Sequence, residues 1–283
     1  MVLGNYEKIV SAKTTNSDIF KYAQDGGIIT SLLIYALEEG MIDGALVAGN
    51  PDNDWVPVPE IATTADEILA SAGTKYTMCP SINAIKDVVR EYNLKKIGAV
   101  LTPCQCQAIK KAREYPISIG SFVNNINLIF GVFCMRTFSH SAISNLADDL
   151  GTNLADVKRM NIAHGHFYFN SWDEGLKIPL KDMHGFEQPG CNVCKDYSSL
   201  FADLAIGTAG APPTDSTVVL RTKKALDLFN SAVDVGLLEY DPIEDVQPGL
   251  PLLEIRGETK ERQAEREIKR RKEEEGMFVP RRF

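Results

Sequence analysis

"GGIITSLLIYALEEGMIDGALVAG", residues 26–49, decides the architecture. Two glycines open a segment of helical period that stops at Gly40, a residue suited to ending a helix. A continuous apolar run of strand length, "GALVAG" at 44–49, follows it. Helix and buried strand keep alternating downstream. "TTADEILASAG" begins with Thr63 or Thr64 as N-cap, and "SINAIKDVVREYNL" carries Ile82, Ile85, Val88 and Val89 on one stripe. "IGAVL" (97–101) and "NLIFGVF" (127–133) read as two more strands. That alternation is the pattern of an α/β protein with an open sheet and flanking helices.

From about residue 151 the pattern changes to short polar strands and turns, "RMNIAHGHFYFNSWDEGLKIPL", expected as an antiparallel insertion. The expected division is an α/β core over 1–150, a smaller β-rich part over 151–225 and C-terminal helices with a charged tail over 226–283. Residues 258–275 carry 14 charges in 18 positions, with Glu258/Arg262, Glu265/Lys269 and Glu267/Arg271 spaced i, i+4. Such a run builds no core; it is read as a solvated helix or a docking element for another subunit.

Bulk composition narrows the function classes. With 283 residues, 44% hydrophobic and 24% charged, the chain can bury a sizeable core without staples. Six cysteines therefore do not read as a disulfide framework. The start, "MVLGNYEKIVSAKTTNSDIF", lacks the basic and apolar regions of a secretory signal, so a cytoplasmic protein with reduced thiols is expected. No apolar run reaches bilayer-spanning length. A net charge of −8 argues against nucleic acid as a partner.

The chemistry lies in the cysteines at 79, 104, 106, 134, 191 and 194. Cys191-x-x-Cys194 sits in a loop behind Pro189 and Gly190, where a redox dithiol at a helix start is not expected. Metal binding and inert burial both stay open for this pair, and each single cysteine reads first as a small buried hydrophobe. Position lifts two of them above that reading. Cys104 follows a Thr102-Pro103 turn at the end of one strand and Cys134 ends another, so both point to the strand-end crevice where α/β sheets gather ligands. Cys104-x-Cys106 is too tight for a zinc ribbon pair, whereas four thiolates brought from separate segments suit a cubane iron–sulfur cluster. The four histidines suggest no metal site.

Three glycine and threonine loops add a second theme. "YAQDGGIITSLL" places bare amides at a helix N-terminus, "SAGTKYT" adds Lys75 and Tyr76, and "IGTAGAPPTDST" follows the cysteine pair. None is the G-x-G-x-x-G dinucleotide fingerprint. Together they offer a cradle for a pyrophosphate and a flat ring.

"QDGGIITSLLIYALEEGMIDGALV", "AGTKYT", "LTPCQCQAIKK", "FGVFCMRTFS" and "CNVCKDYSSLFADLAIGTAGAP…STVVLRT" occur here in the order seen in beta subunits of coenzyme F420-reducing hydrogenases. The chain resembles that family over roughly residues 17–225; relatives include beta subunits of deazaflavin-dependent formate dehydrogenases and flavoprotein modules of sulfite reductases. The resemblance implies a module holding FAD and one 4Fe-4S cluster that passes electrons from a hydrogenase's iron–sulfur small subunit and nickel–iron large subunit to coenzyme F420, an 8-hydroxy-5-deazaflavin that accepts a hydride. It maps the cluster ligands onto Cys104, Cys134, Cys191 and Cys194, leaving out Cys79 and Cys106. Within that frame Gln24, Asp25, Gly26, Gly27 and Thr30, with Gly73, Thr74, Lys75 and Tyr76, are expected at FAD, and Thr102, Pro103, Gly207, Thr208 and Gly210 on the ring side. Arg136 and Arg221 are expected toward the anionic deazaflavin substrate. The alternatives are the same module serving a formate dehydrogenase, and a zinc-stapled interaction subunit without catalysis.

Overall fold

The computed structural model describes residues 2–115, 120–170 and 175–279. Its chain runs through β1 (Lys8–Thr14), α1 (Ser17–Tyr22), α2 (Ile28–Glu38), β2 (Gly44–Gly49), β3 (Val58–Ala62), α3 (Ala65–Ala70), α4 (Ser81–Glu91), β4 (Ile97–Leu101), α5 (Pro103–Glu114), α6 (Gly120–Val123), β5 (Ile126–Val132) and α7 (His140–Asp149). Three short strands follow, β6 (Met160–Ala163), β7 (His166–Phe169) and β8 (Leu176–Pro179). Then come β9 (Leu204–Gly207), β10 (Ser216–Leu220), α8 (Lys223–Asp234), β11 (Leu238–Pro242) and α9 (Gly249–Glu273).

Eight strands form one mixed sheet in the order β11-β1-β10-β9-β5-β4-β2-β3. Its centre, β2, β4, β5 and β9, is parallel, and the flanking pairings are antiparallel. Side chains alternate across it as the two-residue strand period requires. Leu128 and Phe130 face one layer, with Leu32 of α2 and Phe229 of α8. Ile97, Leu101 and Ile129 face the other, with Ile85 and Val88 of α4 and Ile109 of α5. Ile82 and Val89, expected on the buried stripe of α4, pack only at its edge.

Local signals account for the helix starts. Thr64 is the N-cap of α3 and forms a capping box with Glu67; Thr102 does the same for α5 with Gln105. Pro103 opens α5 where its missing N–H costs nothing.

Two expectations need correction. Residues 151–225 are not one smaller β-rich part: β6, β7 and β8 make a separate three-stranded sheet, but β9 and β10 complete the large one. The reason is pairing range, since β10 bonds β1 with Leu220 opposite Lys8. Nor is the charged tail a solvated helix without a core face. Leu253, Gly257, Lys260 and Ala264 of α9 are buried at spacings of four, three and four residues. Gly257 permits that approach, because a Cβ there would lie 2.6 Å from Val2 Cγ1. Of the three i, i+4 pairs, Glu267 does hold Arg271, while Glu265 reaches across to Lys195 at 2.6 Å.

Candidate functional site

The parallel strands β2, β4, β5 and β9 all end on one side of the sheet, and the segments leaving β4, β5 and β9 carry Thr102 to Cys104, Cys134 with Arg136, and Thr208 with Gly210. Cys104 stands in the first turn of α5, exposed, with Thr102 Oγ1 3.3 Å from its sulfur. Cys134 lies two residues past β5 and its N–H bonds Tyr197 O at 2.9 Å. Cys191 opens a short 3-10 turn, Cys191–Val193, whose cap is Cys194. The Thr137 N–H donates to Cys191 Sγ at 3.4 Å, and the hydroxyl of Thr137 lies 3.5 Å from the same sulfur. Thr137 follows Cys134 by three residues, so these contacts tie the two cysteine-bearing segments together.

Burial pushes the Cys134 thiol up to about 12; Lys260 opposes that rise, and the charges of Cys191, Cys104 and Cys194 add to it. Cys106 feels the charge of Cys104 but lies in the core, and Cys79 lies with Lys75 and Glu60. Cys106 is fully buried in the layer beneath α5 with its Sγ 3.8 Å from Leu101 O, and burial raises its thiol steeply. Cys79, also raised by burial, is bonded by Ser81 and feels Lys75 and Glu60. None of the six forms a disulfide. No group of three or more His, Cys, Asp or Glu closes to metal-ligating geometry among the described residues. By chemistry the expected donors suit an iron–sulfur cluster: they are soft sulfurs, and an N–H from Thr137 points at one of them.

The glycine loop before α2 forms a second centre. Gly27, at φ +71°, is the N-cap of α2, and no side chain caps that helix, so its first amides remain open to an anion. Gly26 is wedged between strands, its N–H donating to Ser216 Oγ at 3.1 Å. Thr30 is buried one turn in. Gln24 ties three segments: its Oε1 accepts from Thr74 N at 3.3 Å, and its Nε2 reaches Met160 O at 3.3 Å and Asn161 Oδ1 at 3.2 Å. Arg159 donates to the Gln24 carbonyl. The structure thus brings the Gln24–Gly27 and Gly73–Tyr76 loops together, with β6 as a third wall.

Burial raises the Asp25 carboxyl to about 6, against the lowering pull of Arg159. Ionisation of Asp25 therefore opposes folding: its favourable contribution is complete below pH about 4 and lost as pH rises through about 6. Spread over about two decades of proton affinity this amounts to at most about 3 kcal/mol. Cofactor-free Asp25→Asn is expected to melt higher than the wild type at pH 7 and to lose that advantage at pH 4, as calorimetry at the two pH values will read.

Lys75 and Tyr76 are less open than their sequence suggests. Lys75 Nζ donates to the carbonyls of Ser71, Ala72 and Gly73 at 2.5, 3.1 and 3.2 Å, and burial lowers it to about 8 against the charges of Glu60 and Cys79. The Tyr76 ring packs edge-on to Phe167, centroids 5.3 Å apart. On the ring side, Thr102 and Pro103 turn the chain into α5, while Gly207 lies under Phe133, whose ring a Cβ would meet at 2.3 Å. Thr208 is exposed, and Gly210, at φ +103°, accepts from Gly249 N at 2.8 Å.

Both arginines bond other protein groups, although Arg221 Nε is buried with no hydrogen-bond partner. Arg221 is 8% exposed and clips the carbonyls of Leu3, Asn5 and Ser198, which makes it a structural tie rather than a substrate contact. Arg136 binds Glu187, His184 and Gln263. Burial acts to raise Glu187, but hydrogen bonds from backbone N–H groups and from Arg136 outweigh it and hold the carboxyl low. Sequence reasoning missed Arg159, Asn161, Ser216, Thr137 and Lys260; each comes from a distant segment, and nothing local marks it.

Two family models match, the N-terminal and C-terminal regions of the coenzyme F420 hydrogenase/dehydrogenase beta subunit, over residues 9–86 and 94–246. The chain belongs to that family. Among relatives, the coenzyme F420 hydrogenase subunit beta of Methanothermobacter thermautotrophicus is 44% identical over 96% of this chain and 98% of its own length. The corresponding subunit of Methanosarcina barkeri is 41% identical over 95% and 94%. A chain in the solved F420-reducing [NiFe] hydrogenase complex from Methanosarcina barkeri superposes with a TM-score of 0.92 at 41% identity, covering 96% of this chain and 94% of that one. This member of the F420 beta-subunit family has no helix long and apolar enough to cross a membrane among the described residues.

Proposed function

We propose that this chain is the electron-delivering subunit of an F420-reducing hydrogenase, passing electrons from partner subunits that carry the nickel–iron and iron–sulfur centres to coenzyme F420. The observation that carries this reading is the superposition on a chain of the F420-reducing [NiFe] hydrogenase complex, with a TM-score of 0.92 at 41% identity; the charges of Cys104, Cys191 and Cys194 acting together on Cys134 support a shared sulfur site. When bound, a 4Fe-4S cluster at the four sulfurs would exchange single electrons, and FAD would convert them to the hydride that a deazaflavin accepts.

The chain's own residues set the conditions for that exchange. The amides at the start of α2, with Gly26 and Gly27, would receive the FAD pyrophosphate, and Gln24 and Thr74 would hold the two loops around it. Thr102 and Pro103, next to Cys104 in the chain, and Gly207 to Gly210 would stand on the ring side of the flavin. The four cysteines would bind as thiolates, Thr137 supplying an N–H to one of them. Close identity to relatives named as F420 hydrogenase beta subunits supports hydrogen, rather than formate, as the ultimate donor.

Anaerobic reconstitution tests the reading directly. The purified chain is expected to show flavin absorbance and about four iron per chain. A colourless protein with one zinc and no flavin would instead establish the stapled interaction subunit.

A further inference from the structure

Lys260 is 3% exposed, in the middle of α9. Its ammonium donates to the carbonyl of Met135, next to Cys134, and to the carbonyl of Cys191 at 3.2 Å. One side chain therefore joins two segments that carry expected cluster ligands. The acidic residues around it are directed elsewhere. Glu261 and Glu265 reach Lys195, Glu267 holds Arg270 and Arg271, and Glu187 takes Arg136. Among the described residues no carboxylate pairs with Lys260.

A buried ammonium solvated only by carbonyls is costly, so an anionic neighbour is what its position calls for. The four sulfurs provide one: as thiolates around a cluster they form an anionic group beside the ammonium. The helix that delivers it begins after residue 246, where the second family match stops, so neither family model includes it.

We infer that Lys260 is a positioning residue for the cluster: it clamps the Cys134 and Cys191 segments together, and its buried positive charge favours the cluster's reduced form. This rests on the four-cysteine reading proposed above. Reduction adds one electron, and one negative charge, to a group its thiolates already make anionic. A nearby buried cation opposes that accumulation and raises the potential, as hydrogen bonding and exposure also do.

The test is a potentiometric titration of the full-length chain, reconstituted anaerobically and reduced stepwise with dithionite while the paramagnetic signal of the reduced cluster is followed. Lys260→Arg keeps the charge, Lys260→Gln keeps a donor without charge, and Lys260→Met removes both. The neutral variants are expected to be at least tenfold harder to reduce, about 59 mV for a one-electron couple, with the arginine variant within twofold of wild type. If Lys260→Met drops its iron, Lys260→Gln decides. Loss of iron from both neutral variants but not from Lys260→Arg supports the same assignment, because charge is then needed to hold the cluster at all. Neutral variants with a wild-type potential overturn it. So does an arginine variant that loses iron, and so do neutral variants that fail to fold even without iron. Wild-type protein that takes up no iron would instead remove the four-cysteine reading, leaving the two failures distinct.

Discussion

Cys194→Ser is expected to leave the chain without cluster absorbance and with iron near background, while Cys106→Ser retains both. The two cysteines are buried alike, so burial does not separate them; their surroundings do. Cys194 caps the turn opened by Cys191, and its charge acts on Cys134 together with those of Cys104 and Cys191. Cys106 packs with Ile109, Leu101 and Ile129. A serine hydroxyl at 194 removes one soft donor from a set of four, and oxygen is a poor substitute in an iron–sulfur site. At 106 the same change buries a hydroxyl near the Leu101 carbonyl, which Cys106 Sγ already faces at 3.8 Å, so its cost is about 1 kcal/mol of stability. Iron analysis and the visible spectrum read the first effect, and thermal melting the second. Iron retained at full level in Cys194→Ser would remove this residue from the ligand set.

Gly26→Ala is expected to be the most damaging single-methyl change at the glycine loop. Its Cβ would sit 2.4 Å from Ala12 O and 2.8 Å from Ser216 N, both backbone atoms of adjacent strands that cannot rotate away. The strands must separate or the loop must lift, at a cost of about 3 kcal/mol. For a chain of this size that is a melting-temperature fall of roughly 6–12 °C, and flavin content should fall with it because the displaced residues precede the open amides of α2. Gly40→Ala provides the contrast. At φ +63° with nothing within 4 Å of the new methyl, it meets only backbone strain, about 1 kcal/mol, and leaves flavin content unchanged.

The parts of the fold that the chain states locally were legible from sequence. Gly27 and Gly40 bracket α2, "GALVAG" is β2 to the residue, and "IGAVL" is β4 to the residue, because glycine punctuation and strand-length apolar runs are local signals. The strand-end positions of Cys104 and Cys134 were legible for the same reason. What stayed hidden depends on long-range pairing. Nothing in "KIVSAKT" says that β1 lies between β10 and β11, and nothing in "STVVLRT" separates an insertion from a continuation of the large sheet. Lys260 was hidden differently. In a run of charges a lysine reads as solvated, and the stripe that buries it is completed by Gly257 and Ala264, residues too small to register as an apolar face. Arg221 misled by the reverse logic: a lone arginine near a glycine loop suggests an anion, yet it is held by three backbone carbonyls.

The position of β1 bears on the order of synthesis. β1 has Leu220 and Pro242 among its partners, so during synthesis it waits, unpaired, until those residues have been made before its register is set. The helix that fastens the cysteine turn emerges later still. All four sulfurs are thus translated before either the sheet or the clamp can close, and a nascent chain halted short of α9 would display them without the ammonium that draws them together.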